Sequence, residues 1–282
     1  MSTNPFFLKS TLEYELPPFE QINDGHYLEA FYAGMEAQRA EVDAIVSQTE
    51  ITFDNTIVSL ELSGQLLTRV ANVFYNKSSS DTNDTIDAIE AEIAPKLAAH
   101  ADAIKLNSDL FSRIKTLMEK QSSLSEEDAW ILKKYCEEFV YAGAELSEEA
   151  RERVKEINKE LSSLQTSFGK NLLSDTNDLA VFVGDVSELQ GLSDNQIAAC
   201  KAAAETRGMN DKWMIGMVNF TGHPLLRSLE NRNLREKVMS HSLQKGARGN
   251  AHDTQEILIR MVALRTERAK LFGLKKIGRA HV

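Results

Sequence analysis

Between Ser147 and Leu172 the apolar residues Val154, Ile157, Leu161, Leu164, Phe168 and Leu172 follow one another at steps of three or four. That is the repeat of one face of an α-helix and of no strand. Glu, Lys and Arg fill much of the space between them, so the other faces read as solvated surface. Ser147-Glu-Glu opens the run and places carboxylates at the positive end of the helix dipole. The spacing predicts a helix over 149–173 that buries Val154, Ile157, Leu161, Leu164 and Phe168 together.

Similar stripes recur along the chain. Leu28, Phe31, Met35, Val42 and Ile45 predict a helix from about His26. After a break over 47–55, Ile57, Leu60, Leu67, Val70 and Phe74 predict a second. The small, polar run 76–84 reads as another break with several possible N-caps. Ile86, Ile89, Ile93, Leu97, Ala101 and Ile104 then mark a third helix, kinked at Pro95, which has no N–H and crowds the preceding turn. Ser125-Glu-Glu-Asp128 resembles a capping box before a helix carrying Trp130, Leu132 and Tyr135.

Near residue 178 the texture changes. Residues 180–183 and 213–218 are short β-type runs, and Ser193-Asp-Asn-Gln196 starts a short Ala-rich helix ending near Gly208. This β insertion is a candidate edge for a groove. Helices return at about 224. Over 231–274 two helical patterns flank a turn at Gly246 and Gly249, the second with Ile257, Met261, Leu264 and Leu271 on one face. Residues 1–20 read as an extended arm, because Pro5, Pro17 and Pro18 disfavour helix before them, and Phe6, Phe7 and Phe19 give the arm something to dock with. The expected fold is mostly α, with about ten helices and one small β element near 179–218. No fixed-period repeat points to a solenoid.

The formal net charge of −10 argues against a nucleic-acid partner, which would need clustered Lys and Arg. No stretch approaches the roughly 18 apolar residues of a membrane span, and the N-terminus lacks the basic and apolar regions of a signal peptide. The expectation is a cytoplasmic protein, with the sequons at Asn76, Asn83 and Asn219 as chance matches and Cys136 and Cys200 as buried free thiols. None of the six histidines is followed by Glu, so the His-Glu-x-x-His zinc helix is missing from these residues. His241 and His252 are too far apart, with glycines between, to form a ligand pair on one helix. His26 and Glu29, one turn apart, suit capping or packing. Gly246-Ala-Arg-Gly249 reads as a helix–helix turn. There is no Gly-x-Ser-x-Gly elbow, phosphate loop or GxGxxG. No catalytic, cofactor-binding or metal-ligating residue is assigned. From the residues alone the chain is mostly helical, with no visible active site.

A series of strings in order carries a resemblance: NPFF at 4–7, FDNTIVSLELSG at 53–64, DTNDTIDAIEAEIAPKLAAH at 81–100, FVYAGAELSEEAR at 139–151, INKELSSLQTSFGKNLLSDTN at 157–177, and NRNLREKV followed by RTERAKLFGL at 231–274. Over 4–275 the chain resembles the N-terminal part of zinc metallopeptidases of the thimet oligopeptidase and oligopeptidase A family, with the peptidyl-dipeptidase branch the nearer likeness. The resemblance implies two helical lobes around a deep channel that admits short, unfolded peptides to a zinc-activated water. It also implies a monomer, and release of dipeptides from free C-termini in the peptidyl-dipeptidase branch. The family's zinc and catalytic motifs would lie beyond residue 276. Zinc is therefore expected in the full-length parent and not in this chain, which should be inert alone. The expected organisation is an arm over 1–20, a helical lobe over 21–276, and a tail over 277–282 that resembles translated sequencing-adapter DNA and should pack against nothing. The alternative is a stand-alone helical binding or scaffold protein, told apart by whether the reading frame past Lys276 reaches His-Glu-x-x-His.

Overall fold

The structure, a computed structural model, describes residues 4–279. Contacts divide it into two units, one of residues up to 166 together with those from 261, the other of residues 167–260. The described fold is mostly helical, with one two-stranded sheet.

The first unit opens with 3-10 turns at Pro5–Phe7, Glu13–Glu15 and Phe19–Gln21. Of the three phenylalanines expected to dock, Phe6 does so, against Tyr27 at 5.5 Å between ring centres, while Phe7 and Phe19 are exposed. Asn4 fixes this entry. Its Oδ1 accepts from the Phe6 N–H, and its Nδ2 donates to the His26 carbonyl at 2.9 Å.

Helices α1 (Gly25–Val46), α3 (Gln65–Ser80) and α4 (Asp84–Lys105) enclose one core, in which Phe74 meets Tyr27 and Phe31 edge-on, each at 5.2 Å. Gly34 allows α1 and α3 to approach, since a Cβ there would lie 2.9 Å from the Leu67 Cα. A second core joins Val42, Ile45 and Ile57 to α5 (Ser108–Glu119) and α6 (Glu126–Ala142), with Phe111 and Phe139 stacked at 6.1 Å.

Several sequence expectations are corrected here. The single helix over 57–74 is divided into a π-helical turn at Asp54–Val58, the single turn α2 (Ser59–Glu61) and α3. The division falls at Gly64, whose φ is 72° and whose N–H is taken by Glu41 Oε2 at 2.7 Å. Conversely, α3 runs on through Asn76–Ser80, the expected break. The Ser79 and Ser80 hydroxyls donate to the Tyr75 and Asn76 carbonyls inside the helix and so do not cap its end. Helix α4 carries Pro95 inside it, as its apolar stripe led one to expect. Helix α5 stands where no helix was read, started by Asn107, whose Oδ1 accepts from the Leu110 N–H at 2.9 Å. Of the three residues read on α6, Leu132 is buried, Tyr135 is partly buried and Trp130 is 61% exposed, while Phe139 is buried as well. Buried Arg113 orders the break before the π turn, donating to the carbonyls of Gln48 and Glu50 and to Asn55 Oδ1 at 3.0 Å.

Helix α7 (Glu148–Asp178) is longer than its apolar stripe. It buries Val154, Ile157 and Leu161, whereas Leu164 and Phe168 are only half-buried; the first unit ends at Thr166, beside them.

The second unit takes the end of α7, β1 (Val181–Val183), α8 (Asp194–Glu205), β2 (Trp213–Ile215), α9 (Arg232–Leu243) and the start of α10 (Gln255–Leu271). The strands are antiparallel, with Val181 opposite Ile215 and Val183 opposite Trp213. Leu179, Val181, Val183, Leu189, Ile215 and Val238 are among its core residues. Strand β2 stops short of Val218 because the chain turns. The Gly216 carbonyl accepts from Thr221 Oγ1, and the Val218 carbonyl from the Thr221 N–H. Helix α8 has a complete capping box between Ser193 and Gln196. The chain after β2 resumes as a 3-10 turn, His223–Arg227, so the α-helix begins at Arg232 and not near 224.

Candidate functional site

Within the second unit, α8, the chain from Met214 to Val218 and the loop around Phe220 to Leu225 surround a pocket of about 350 Å³. The sequence makes room for it by placing small residues, Ala199, Cys200 and Ala203, on the side of α8 that faces it. Met214, Met217 and Leu225, all buried, supply an apolar wall, and methionine adapts its shape to irregular contents. The polar lining includes Thr176, Asn177, Gln196 and Thr221.

One cation, Arg207, lies at this lining, just past the end of α8. Its Nη1 donates to the Asn177 carbonyl at 2.8 Å and its Nη2 to Asn177 Oδ1 at 3.0 Å. Both acceptors are neutral, and among the described residues no carboxylate lies within ion-pair distance of this guanidinium. Burial pushes the Cys200 thiol up, so it is a wall and not a nucleophile. The arrangement can bind; it shows no nucleophile–base pair.

The other residues considered from sequence fall into structural roles. His26 and Glu29 both contact Asn4, the Glu29 Oε2 accepting from Asn4 Nδ2 at 3.3 Å. His241 pairs through Nδ1 with the Leu179 carbonyl at 2.7 Å, while His252 stands 3.7 Å from Asp178. Among the described residues no group of three or more His, Cys, Asp or Glu is placed to hold a metal ion. Gly246 and Gly249 both have positive φ, as a turn requires. Buried Asp175, near the end of α7, organises that turn, accepting from the Gly246 N–H and from Arg248 Nε, each at 2.7 Å. Asp102, buried in the first unit, has its carboxyl pushed up by burial, against the opposing bond from Asn158 at 2.8 Å.

The pocket itself was not readable as a site. The β insertion hinted at a groove, but the small residues that open it look in sequence like ordinary helix formers.

No family model matches the chain. Curated relatives do. It is 35% identical over 273 residues to dipeptidyl carboxypeptidase of Escherichia coli and 36% over 276 residues to that of Salmonella typhimurium, covering 96% and 97% of this chain. Dipeptidyl carboxypeptidases and oligopeptidases A are thus relatives of nearly the whole chain. A more distant relative is the organellar oligopeptidase A of Arabidopsis thaliana, 26% identical over 97% of this chain and 35% of that protein. The chain spans about two-fifths of the length of the dipeptidyl carboxypeptidases it matches, 40% and 41%. Among the described residues, no helix is long and apolar enough to cross a membrane.

Proposed function

We propose that this chain is the N-terminal, non-catalytic helical part of a zinc metallopeptidase of the peptidyl-dipeptidase type, acting on short unfolded peptides. The observation that carries this reading is the identity to dipeptidyl carboxypeptidases along nearly the whole chain, over only two-fifths of their length. When bound, a zinc ion lowers the pKa of its water toward ~7 and so supplies a nucleophile for amide attack. The residues here do not fit such an ion: the histidines closest in sequence, His241 and His252, contact different groups, and no ligand cluster forms among the described residues. No hydrolytic step is therefore assigned to them. Their role is to contribute a wall to the peptide site, in a monomeric, cytoplasmic enzyme that engages neither nucleic acid nor membrane. Residues 277–282 are proposed as a non-native tail. Ile277–Arg279 form a 3-10 turn, and residues 280–282 lie outside the described residues.

The test is dipeptide release from a short N-blocked peptide, with and without chelator, by this chain and by the product of the complete reading frame at its source locus. The expected result is chelator-sensitive release by the complete product only, and no zinc retained by this chain after dialysis. Chelator-sensitive release by the chain alone overturns the reading. An inactive complete product would instead favour a stand-alone binding scaffold.

A further inference from the structure

We propose that the pocket of the second unit is a binding site for the C-terminal residue of a short peptide, with an apolar side chain inside and the free carboxylate on Arg207. The peptide as occupant rests on the function proposed above; the chemistry of the site rests on its own geometry.

Three observations converge. The pocket, about 350 Å³, sits at the small end of the roughly 300–1,000 Å³ range of ligand sites, which suits one large side chain and its backbone better than an extended ligand. Its inner wall is apolar, with Met214, Met217 and Leu225 buried and Ala203 leaving space, so the group that enters must be apolar as well.

The third observation is electrostatic. A chain with ten more acidic than basic groups offers carboxylates in plenty, yet Arg207 is oriented by two neutral oxygens of Asn177. A guanidinium has five N–H donors in a fixed fork suited to a carboxylate. Asn177 takes two of them and fixes the plane, leaving donors and the whole charge for an anion. A carboxylate one bond from an apolar-bearing carbon is the terminal residue of a peptide. Asn177 and Thr221 also line the pocket and are able to pair with the peptide's own amide groups.

The experiment is calorimetric titration of the purified full chain with N-acetyl-alanyl-leucine as the free acid and as its C-terminal amide, with octanoate as a second carboxylate. Free acid is expected to bind about 10-fold or more tighter than amide, a preference that weakens with added salt. Arg207→Gln is expected to bring the ratio to about one while leaving the weak amide binding in place. Ala203→Trp, which fills the pocket, is expected to abolish both. Circular dichroism of each variant establishes folding, and the acid–amide comparison on the unaltered chain decides the matter even if a variant misfolds. Equal affinity for acid and amide, no binding of either, or an acid preference that survives in folded Arg207→Gln overturns the proposal. Octanoate binding as tightly as the peptide acid overturns the peptide as occupant. Failure of dipeptide release by the complete product would sink the peptidase reading without changing these titrations, so the two failures are distinguishable.

Discussion

Replacing Asp175 with alanine is expected to destabilise the second unit by about 3 kcal/mol. The carboxylate is fully buried and accepts from the Gly246 N–H at 2.7 Å, from Arg248 through both Nε and Nη2, and from Asn250 Nδ2 at 3.3 Å. Alanine leaves the buried Gly246 N–H without its acceptor, at about 1–3 kcal/mol. Removing one partner of a fully buried ion pair costs about 3–5 kcal/mol. Arg248 keeps a quarter of its side chain exposed, so water recovers part of that and the lower end of the range applies. Asp175→Asn retains an acceptor for Gly246 and should cost about half as much. Urea unfolding in a Trp130→Phe background makes Trp213, inside the second unit, the sole tryptophan reporter. A loss below about 0.5 kcal/mol for Asp175→Ala, or equal losses for the alanine and asparagine variants, would refute the reasoning. The pH dependence gives a second check. Burial alone would raise the Asp175 carboxyl, but the bonds from Arg248, Gly246 and Asn250 and the charge of Arg248 outweigh it and hold it below its ordinary 3.8. Its contribution is therefore complete above the unfolded value and is lost as pH falls through the lower folded value, and Asp175→Ala should lack that acid-side slope.

His100 is buried, pairs through Nε2 with Gln38 Oε1 at 2.7 Å, and is held below its ordinary 6.5 by burial and then by the charge of Arg39. The unfolded chain binds its proton first, so stability of the first unit should decline as pH falls below about 6.5 toward the folded value, and His100→Gln should reduce that decline in denaturant titrations at several pH values. Ile157→Ala removes a fully buried side chain and should cost about 2–4 kcal/mol, whereas Phe168→Ala, at a half-buried position, should cost less despite the larger deletion. Equal melting-temperature shifts for the two would contradict the packing described for α7.

Helices with one dominant stripe were legible because period alone locates them, as with Val154, Ile157 and Leu161, and the start of α8 was legible because Ser193 and Gln196, which cap it, lie within one short stretch of chain. The interruptions were not. Nothing local says that Gly64 turns left-handed to offer its N–H to Glu41, or that Ser79 and Ser80 satisfy their hydroxyls within α3. Arg113 holds a segment more than fifty residues earlier in the chain, which no window of sequence displays. The candidate site was hidden for a related reason. It is defined by space beside Ala199 and Ala203 and by an arginine whose neutral partner lies thirty residues away, and tertiary placement alone reveals both.

Because the first unit is built from two separated stretches of chain, its completion is delayed on the ribosome. Glu267 joins Arg153 at 2.6 Å across 114 residues, and buried Leu264 and Ala269 belong to the same late segment. All of residues 167–260 must be synthesised in between, which at about 5–20 residues per second takes roughly 5 to 20 s. During that interval Arg153 has no Glu267 to receive its guanidinium, and the growing chain depends on α1 to α6 to hold the unfinished unit together. The second unit, being contiguous in sequence, has no such wait for distant residues. A released chain truncated just before Met261 should therefore carry a folded second unit and an incomplete first one, the latter more open to proteases and chaperones.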